Sequence, residues 1–356
     1  MAENTKIEWC DHTVNFWWGC TKVSPACLNC YAERQDAHFH PHLAPRDRFQ
    51  GEKALSSHWG PAAPRLVRVE AATREAMKYE RQAVALGRRF RVFTNSMSDF
   101  FEDRRDLDQA RLQALEVIRL TPHLDWLILT KRPEAIVGLL KRAEGATPSS
   151  GMSDWLRNWL NGIPPANVWL GTTVENQEMV EPRIWELIRT PAAVRFLSCE
   201  PLLGPLELRL MEQWLGFTQA RSLIHWVICG GESGPGARPM HPNWARGLRD
   251  QCQEAGVPFL FKQWGEWGAS AQHMSTGEPV FRVFENADHW WAKGPTWMSK
   301  GDILLDAAGE HLRNSGDLML SRYPPFTAMR KLGKTRAGRL LDGVEHNGYP
   351  DPAGRP

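Results

Sequence analysis

Four runs of sequence decide the fold: LILT at 127–130, VWLGTT at 168–173, FLSC at 196–199 and WVICG at 226–230. Each is apolar on successive residues rather than alternate ones. That pattern suits strands covered on both faces, as in parallel sheets. Working outward, the strands they belong to span Trp126–Thr130, Val168–Thr173, Val194–Cys199 and His225–Cys229, with others at Thr13–Trp17, Arg91–Asn95 and Pro258–Lys262. Helical patterns separate them, at Ala71–Leu86, Asp106–Leu120, Pro133–Ala143, Met179–Arg189 and Pro242–Ala255. Strands alternating with helices predict right-handed βαβ crossovers and a parallel sheet.

Nearly every strand ends in polar or reactive residues: Thr94-Asn95-Ser96, Thr130-Lys131-Arg132, Thr172-Thr173-Val174-Glu175, Ser198-Cys199-Glu200 and Cys229-Gly230-Gly231-Glu232. In a barrel such C-terminal ends converge on one mouth. In an open sheet only the ends beside a switch point share a site. Ordinary helix caps use similar residues, but glutamates recur here where caps prefer shorter side chains. The expectation is an α/β fold: a full or partial TIM-type (βα) barrel of six to seven parallel strands, with an irregular C-terminal insertion. The barrel is expected over 1–264, interrupted at 38–64 and 145–165. An irregular or β-rich cap follows over 265–323, and a basic segment and tail over 324–356.

Composition bounds the function. With 42% apolar and 24% charged residues among 356, the chain can fill a core, so disorder is excluded for most of it. A net charge of +2 excludes a globally basic nucleic-acid binder. No apolar run approaches the ~18 residues of a membrane span, and no secretory signal stands at the N-terminus. Seven cysteines, four of them within the first 30 residues, do not read as a disulfide framework. The expected location is the cytoplasm, with no membrane partner.

The strongest local signal is GCTKVSPACLNCY, 19–31, which follows the first strand and precedes a helical pattern. Cys27 and Cys30 form a C-x-x-C pair, and Cys20 stands seven positions earlier. Thiolates this close can hold one metal centre. Two centres fit the spacing. Cys20, Cys27 and Cys30 with Cys10 would close a structural Zn2+ site. The three alone would hold a [4Fe–4S] cluster with one iron open to a small molecule.

A three-cysteine loop after the first strand of a βα barrel resembles the radical S-adenosylmethionine (SAM) enzymes. More closely, GCTKVSPACLNCYAER, SMSDFFED, LTKRP, LGTTVEN, LSCEPL, GGESGPGARP, FKQWGEW and GRLLDG, in this order from Lys6 to Asn347, resemble a phage-associated three-Cys-motif family. Its function is not established, and it is related to the spore photoproduct lyase branch of radical SAM enzymes. The chain departs from the radical SAM pattern in three places. The gap between Cys20 and Cys27 is wider. Asn29 stands where an aromatic precedes the last cysteine, with Tyr31 following. Gly230-Gly231-Glu232 follows a late strand, where the usual Gly-Gly-Glu follows the second.

The resemblance implies a [4Fe–4S] cluster on Cys20, Cys27 and Cys30, with SAM chelating the open iron. Tyr31, Ser96, Ser98 and Asp99 become candidates for the methionine end of SAM, Asp99 foremost as ammonium acceptor. Lys131 or Arg132 would pair with the SAM carboxylate. Glu175 and Glu200 are candidates for ribose hydroxyls or substrate, with Glu200 also a catalytic candidate. Gly230, Gly231 and Glu232 form a turn that a ligand can approach closely. Cys199 and Cys229 are candidate hydrogen-atom donors, against the commoner role of buried apolar residues. The lyase branch and the content of Trp and Arg suggest a nucleic-acid substrate; the family's habit of association suggests a three-Cys-motif partner protein. The alternative is a zinc-stabilised nucleic-acid-binding phage or defence protein without redox chemistry. Trp17 and Trp18 are expected to shield the cluster, Trp290, Trp291 and Trp297 to stack on flat ligands, and Arg330, Lys331, Lys334, Arg336 and Arg339 to form a local basic face. His38, His40 and His42 read as a solvated surface.

Overall fold

The computed structural model describes residues 5, 7–40, 58–210, 223–275 and 277–351. Its central feature is one sheet of seven strands, all parallel and in chain order: β1 His12–Val14, β2 Phe90–Thr94, β3 Leu124–Thr130, β4 Val168–Thr173, β5 Val194–Cys199, β6 Trp226–Gly230 and β7 Phe259–Gln263. The first and last strands are not paired with each other, so this is a half-barrel, a partial βα barrel. The apolar runs lie where the sequence places them. The first strand is displaced. Trp17–Trp18 leaves the sheet and pairs antiparallel with Leu66–Val67, which turns the chain into the cysteine loop.

Alternation along each strand sorts the side chains into two cores. Outward residues such as Val92, Trp126, Leu170, Leu197, Cys199, Val227, Cys229 and Phe261 pack under the helices. These are α2 Val69–Leu86, α3 Asp108–Arg119, α4 Ile136–Ala146, α5 Ser150–Leu160, α6 Gln177–Arg189 and α7 Pro242–Glu254, with α1 Tyr31–Phe39 beside the loop. The segment 145–165 is therefore mostly the helix α5 rather than an irregular insertion. Inward residues Phe93, Leu127, Trp169, Phe196, Trp226, Ile228 and Leu260 fill the lower half-barrel together with Trp9 and Cys10. Gly171 makes this filling possible, because a Cβ there would strike the Phe196 ring. The floor is solid, so open space remains only at the C-terminal mouth.

Beyond residue 264 the described residues build a second, antiparallel sheet. Its strands are β8 Trp267–Ala269, β9 Arg282–Phe284, β10 Asp302–Leu305 and β11 Phe326–Lys331, and β11 pairs with the other three. The expected boundary at 323 cuts this sheet, because β11 supplies its centre. The charged run that includes Arg330 and Lys331 therefore begins inside a strand. Arg330 pairs with Asp302 at 2.6 Å, Arg339 with Glu345 at 3.8 Å and Lys334 with Glu8 at 3.7 Å. These pairs engage three of the five basic residues of the expected face; Arg336 donates to the Leu332 carbonyl at 2.9 Å and Lys331 stays exposed. Trp290 and Trp297 on helix α8, Ala287–Trp297, pack on this sheet's core; Trp291 is 48% exposed. Among the described residues, no helix is long and apolar enough to cross a membrane.

Candidate functional site

The cysteine loop lies across the mouth of the half-barrel, above a cavity of about 380 Å³. Cys20, Cys27 and Cys30 all line it, as do Tyr31, Ser96, Ser98, Asp99, Lys131, Arg132, Glu200, Gly231 and Glu232. Two more residues reach it from the last strand, Lys262 and Gln263. The strand ends thus converge as a barrel mouth requires.

Strand-end side chains clamp the loop from several sides. Arg132 donates to the Thr21 carbonyl at 2.7 Å and points at Cys20 Sγ at 3.7 Å. Glu175 accepts from the Ala26 N–H at 3.4 Å and pairs with Arg183 at 2.7 Å. Glu232 accepts from Asn29 Nδ2 at 3.0 Å and from the Arg238 guanidinium, which itself donates to the Pro25 carbonyl at 3.0 Å. Ser98 donates to the Trp17 carbonyl at 2.9 Å, and Tyr31 to the Ser96 carbonyl at 2.7 Å. Gly19 accepts this closeness, since a Cβ there would meet the His58 carbonyl, and its φ of +102° favours glycine.

These commitments correct several expected roles. Asp99 accepts from Phe101 N (3.0 Å), Thr130 Oγ1 (2.7 Å), Lys131 N (3.0 Å) and Arg132 Nη1 (2.8 Å). Its carboxylate is fully engaged, so it fastens Arg132 rather than waiting for an ammonium group. Arg132 is spent in the same way. Lys131 Nζ, by contrast, has no partner among the described residues. Glu175 is fully buried away from the cavity, and Gly230 does not line it. A Cβ on Gly230 would press on Glu200 Oε1, and one on Gly231 on the Trp264 carbonyl. Those glycines serve strand packing. Cys199 and Cys229 are turned the opposite way from Ser198 and Glu200. They are register partners in the outer core, where burial drives both thiols well above their ordinary range. That placement does not suit hydrogen-atom donors to the mouth. Glu200 does face the cavity, 3.1 Å from Lys262.

The loop thiols are half-buried. Burial pushes Cys20 up to about 12, with the Asp99 charge adding and Arg132 opposing. Burial also raises Cys30, against the N–H groups of Glu33 and Ala32 at the start of α1. Trp18 and Trp59 pack beside Cys20 and Cys30; Trp17 stacks instead on Phe100 in the outer core. Among the described residues, one group of three metal-ligating side chains brings its ligand atoms within 4.8 Å of one another, and it contains no cysteine. Cys10 lies in the floor, where burial pushes it to about 12.

Four polar atoms on the cavity wall are buried without a partner: Trp9 Nε1, Asn95 Nδ2, Thr173 Oγ1 and Gln263 Oε1. Asn95 also holds a φ of +57°, with its Oδ1 accepting from Phe16 N at 3.0 Å. Buried polar groups are normally satisfied; these four beside the cavity are not, and neither are others away from it such as Trp169 Nε1. Sequence reasoning passed over Trp9, because a lone tryptophan carries no sign of facing a mouth. Asn95 and Thr173 stand there only as strand ends, and Gln263 lies one residue past the strand expected at Pro258–Lys262.

Over residues 4–350 the chain matches the family described as proteins of unknown function, DUF5131, and belongs to it. No curated protein and no solved structure matches it.

Proposed function

We propose that this protein is a radical-SAM-like iron–sulfur enzyme on a partial barrel of the TIM type, related to the spore photoproduct lyase branch. One observation carries the reading: a three-cysteine loop clamped over the mouth cavity of a parallel half-barrel, whose wall holds four unpartnered polar atoms. Cys20, Cys27 and Cys30 would ligate a [4Fe–4S] cluster. Once reduced by an external one-electron donor, a cluster held there would supply the electron for reductive cleavage of a C–S bond of SAM.

The protein's own residues bind, orient and exclude water. Lys131 is the cation left for the SAM carboxylate. Gln263 Oε1 and Thr173 Oγ1 offer acceptors, and Asn95 Nδ2 and Trp9 Nε1 donors. Trp18 and Trp59 screen the thiols from solvent. Lys262 and Glu200 face the same space as a charged pair; burial's pull on Lys262 is outweighed by Glu200 together with Glu8 and Cys10, which raises its hold on the proton. The substrate side is less defined. A nucleic-acid substrate would meet the mouth locally, since net charge is only +2.

The test is anaerobic reconstitution with iron and sulfide, followed by SAM and a strong reductant. The expected result is a brown protein with iron and sulfide near four equivalents each, releasing 5′-deoxyadenosine. Cys27→Ala should abolish both. A colourless protein holding one equivalent of zinc on the loop would establish the zinc-stabilised binding protein instead.

A further inference from the structure

The one tight ligand group among the described residues is Asp36, His40 and His58. It lies outside the mouth cavity. The sequence reading left His40 in a solvated run with His38 and His42; His42 is outside the described residues. The fold instead brings His40 to Asp36, one helical turn earlier on α1, and to His58 from the segment that returns beside the cysteine loop. Asp36 Oδ1 lies 3.0 Å from the Nδ1 of both imidazoles, and Oδ2 lies 2.9 Å from that of His58. The two rings stand perpendicular, 5.3 Å apart.

We propose that Asp36, His40 and His58 bind a divalent first-row cation, separate from the centre on the cysteines. Three lines support this. The Asp36 side chain is fully buried and that of His58 nearly so, at 0% and 8% exposure. Buried charges are paired or bind metal; Asp36 is paired with both imidazoles, and a cation held by the three would take the place of the ring protons between them. Bonds of about 2.0–2.1 Å to one tetrahedral metal set ligand atoms about 3.3 Å apart; Asp36 Oδ1 stands 3.0 Å from each Nδ1, and all three ligand atoms lie within 4.8 Å of one another. Two imidazoles and one carboxylate form a donor set that suits first-row divalent ions. The His40 side chain is 24% exposed, which leaves a way in from solvent.

The place gives the cation a purpose. Helix α1 begins directly after Cys30 and carries Asp36 and His40 near its far end. His58 leads into Trp59, which lines the cavity, and into Gly60, whose N–H donates to the Cys20 carbonyl at 2.9 Å. A cation here ties the helix after the last loop cysteine to the segment behind the first.

The experiment uses the full chain with Cys20, Cys27 and Cys30 all changed to Ala, so that the loop holds no metal. The protein is stripped with chelator and titrated with Zn2+ alone and with Co2+ alone. We expect one equivalent bound, a Co2+ spectrum without thiolate charge transfer, and a rise in melting temperature. His40→Ala, a partly exposed position, should weaken binding at least tenfold while the protein stays folded; Asp36→Asn should do so more severely. Should Asp36→Asn fail to fold, His40→Ala decides. No binding by the triple-alanine chain, or equal binding by its His40→Ala form, overturns the proposal. Neither outcome touches the iron–sulfur reading, which is tested with the cysteines intact.

Discussion

At the residue scale, the informative groups are those the protein itself leaves unused. Asp99 and Arg132 look like ligand groups in sequence, yet their hydrogen bonds are consumed within the mouth. Thr173 is the reverse case: a hydroxyl with no partner, fully buried and facing the cavity. Thr173→Val keeps the shape and removes only the hydroxyl. Deleting an unsatisfied buried hydroxyl should leave stability unchanged or raise it by about 1 kcal/mol. If the wall binds SAM, the same change should weaken SAM affinity roughly 3- to 10-fold, the worth of one hydrogen bond. Equilibrium dialysis with SAM and urea unfolding, run on one preparation, separate the two effects. Unchanged affinity would remove Thr173 from the binding surface.

At the element scale, a few side-chain contacts hold each structural piece, and some of those side chains titrate. His241 caps α7, its Nδ1 accepting from Asn243 N at 3.2 Å, and it is fully buried. Burial, with Arg246 adding and Asp306 opposing, lowers it to about 4 from 6.5. A folded-state value below the unfolded one contributes stability that is full above pH 6.5 and is lost as pH falls through 4. The shift corresponds to roughly 3 kcal/mol. His225 is lowered similarly by burial and Arg195, so the wild-type slope holds both shares. His241→Asn retains a capping side chain without a titrating one. Its unfolding free energy should fall less between pH 6.5 and 4 than that of the wild type; equal slopes would contradict the assignment. The strands of this sheet were legible in sequence because burial on both faces writes itself as continuous apolar runs. The cysteine loop was legible because thiol spacing is local. What escaped were contacts that join distant positions: Glu175 to Ala26, Glu232 to Asn29, His58 to Asp36. No periodicity encodes those. The outward turn of Cys199 follows from simple alternation with Ser198, but only once the strand's inner face is known.

At the scale of the whole molecule, the question is how an open half-barrel protects its last strand. Barrels abolish sheet edges by closing; open sheets must cover them. Here the covering comes from residues 346–349, opposite in sense to β7. Phe261 N donates to the His346 carbonyl at 3.0 Å, and Gly348 N to the Phe259 carbonyl at 2.9 Å. Gly348 is held so closely that a Cβ would meet the Phe259 backbone, and its carbonyl accepts from Trp226 Nε1 at 2.8 Å. Tyr349 then closes the floor. Its ring lies 5.3 Å from that of Trp226 and 4.1 Å from the Arg91 guanidinium, and its hydroxyl donates to the Glu8 carbonyl at 2.7 Å. Two variants separate these jobs. Tyr349→Ala keeps the edge pairing and loses the aromatic burial, about 2–4 kcal/mol, so it should melt lower yet scatter no more light than the wild type. A chain ending at Glu345 loses both, and its bare β7 becomes a template for intermolecular pairing. It should melt lower still and scatter light at concentrations where Tyr349→Ala does not. Thermal unfolding and light scattering on the pair decide it: a truncated chain as stable and monodisperse as the full one would mean that the terminus merely rests on the sheet.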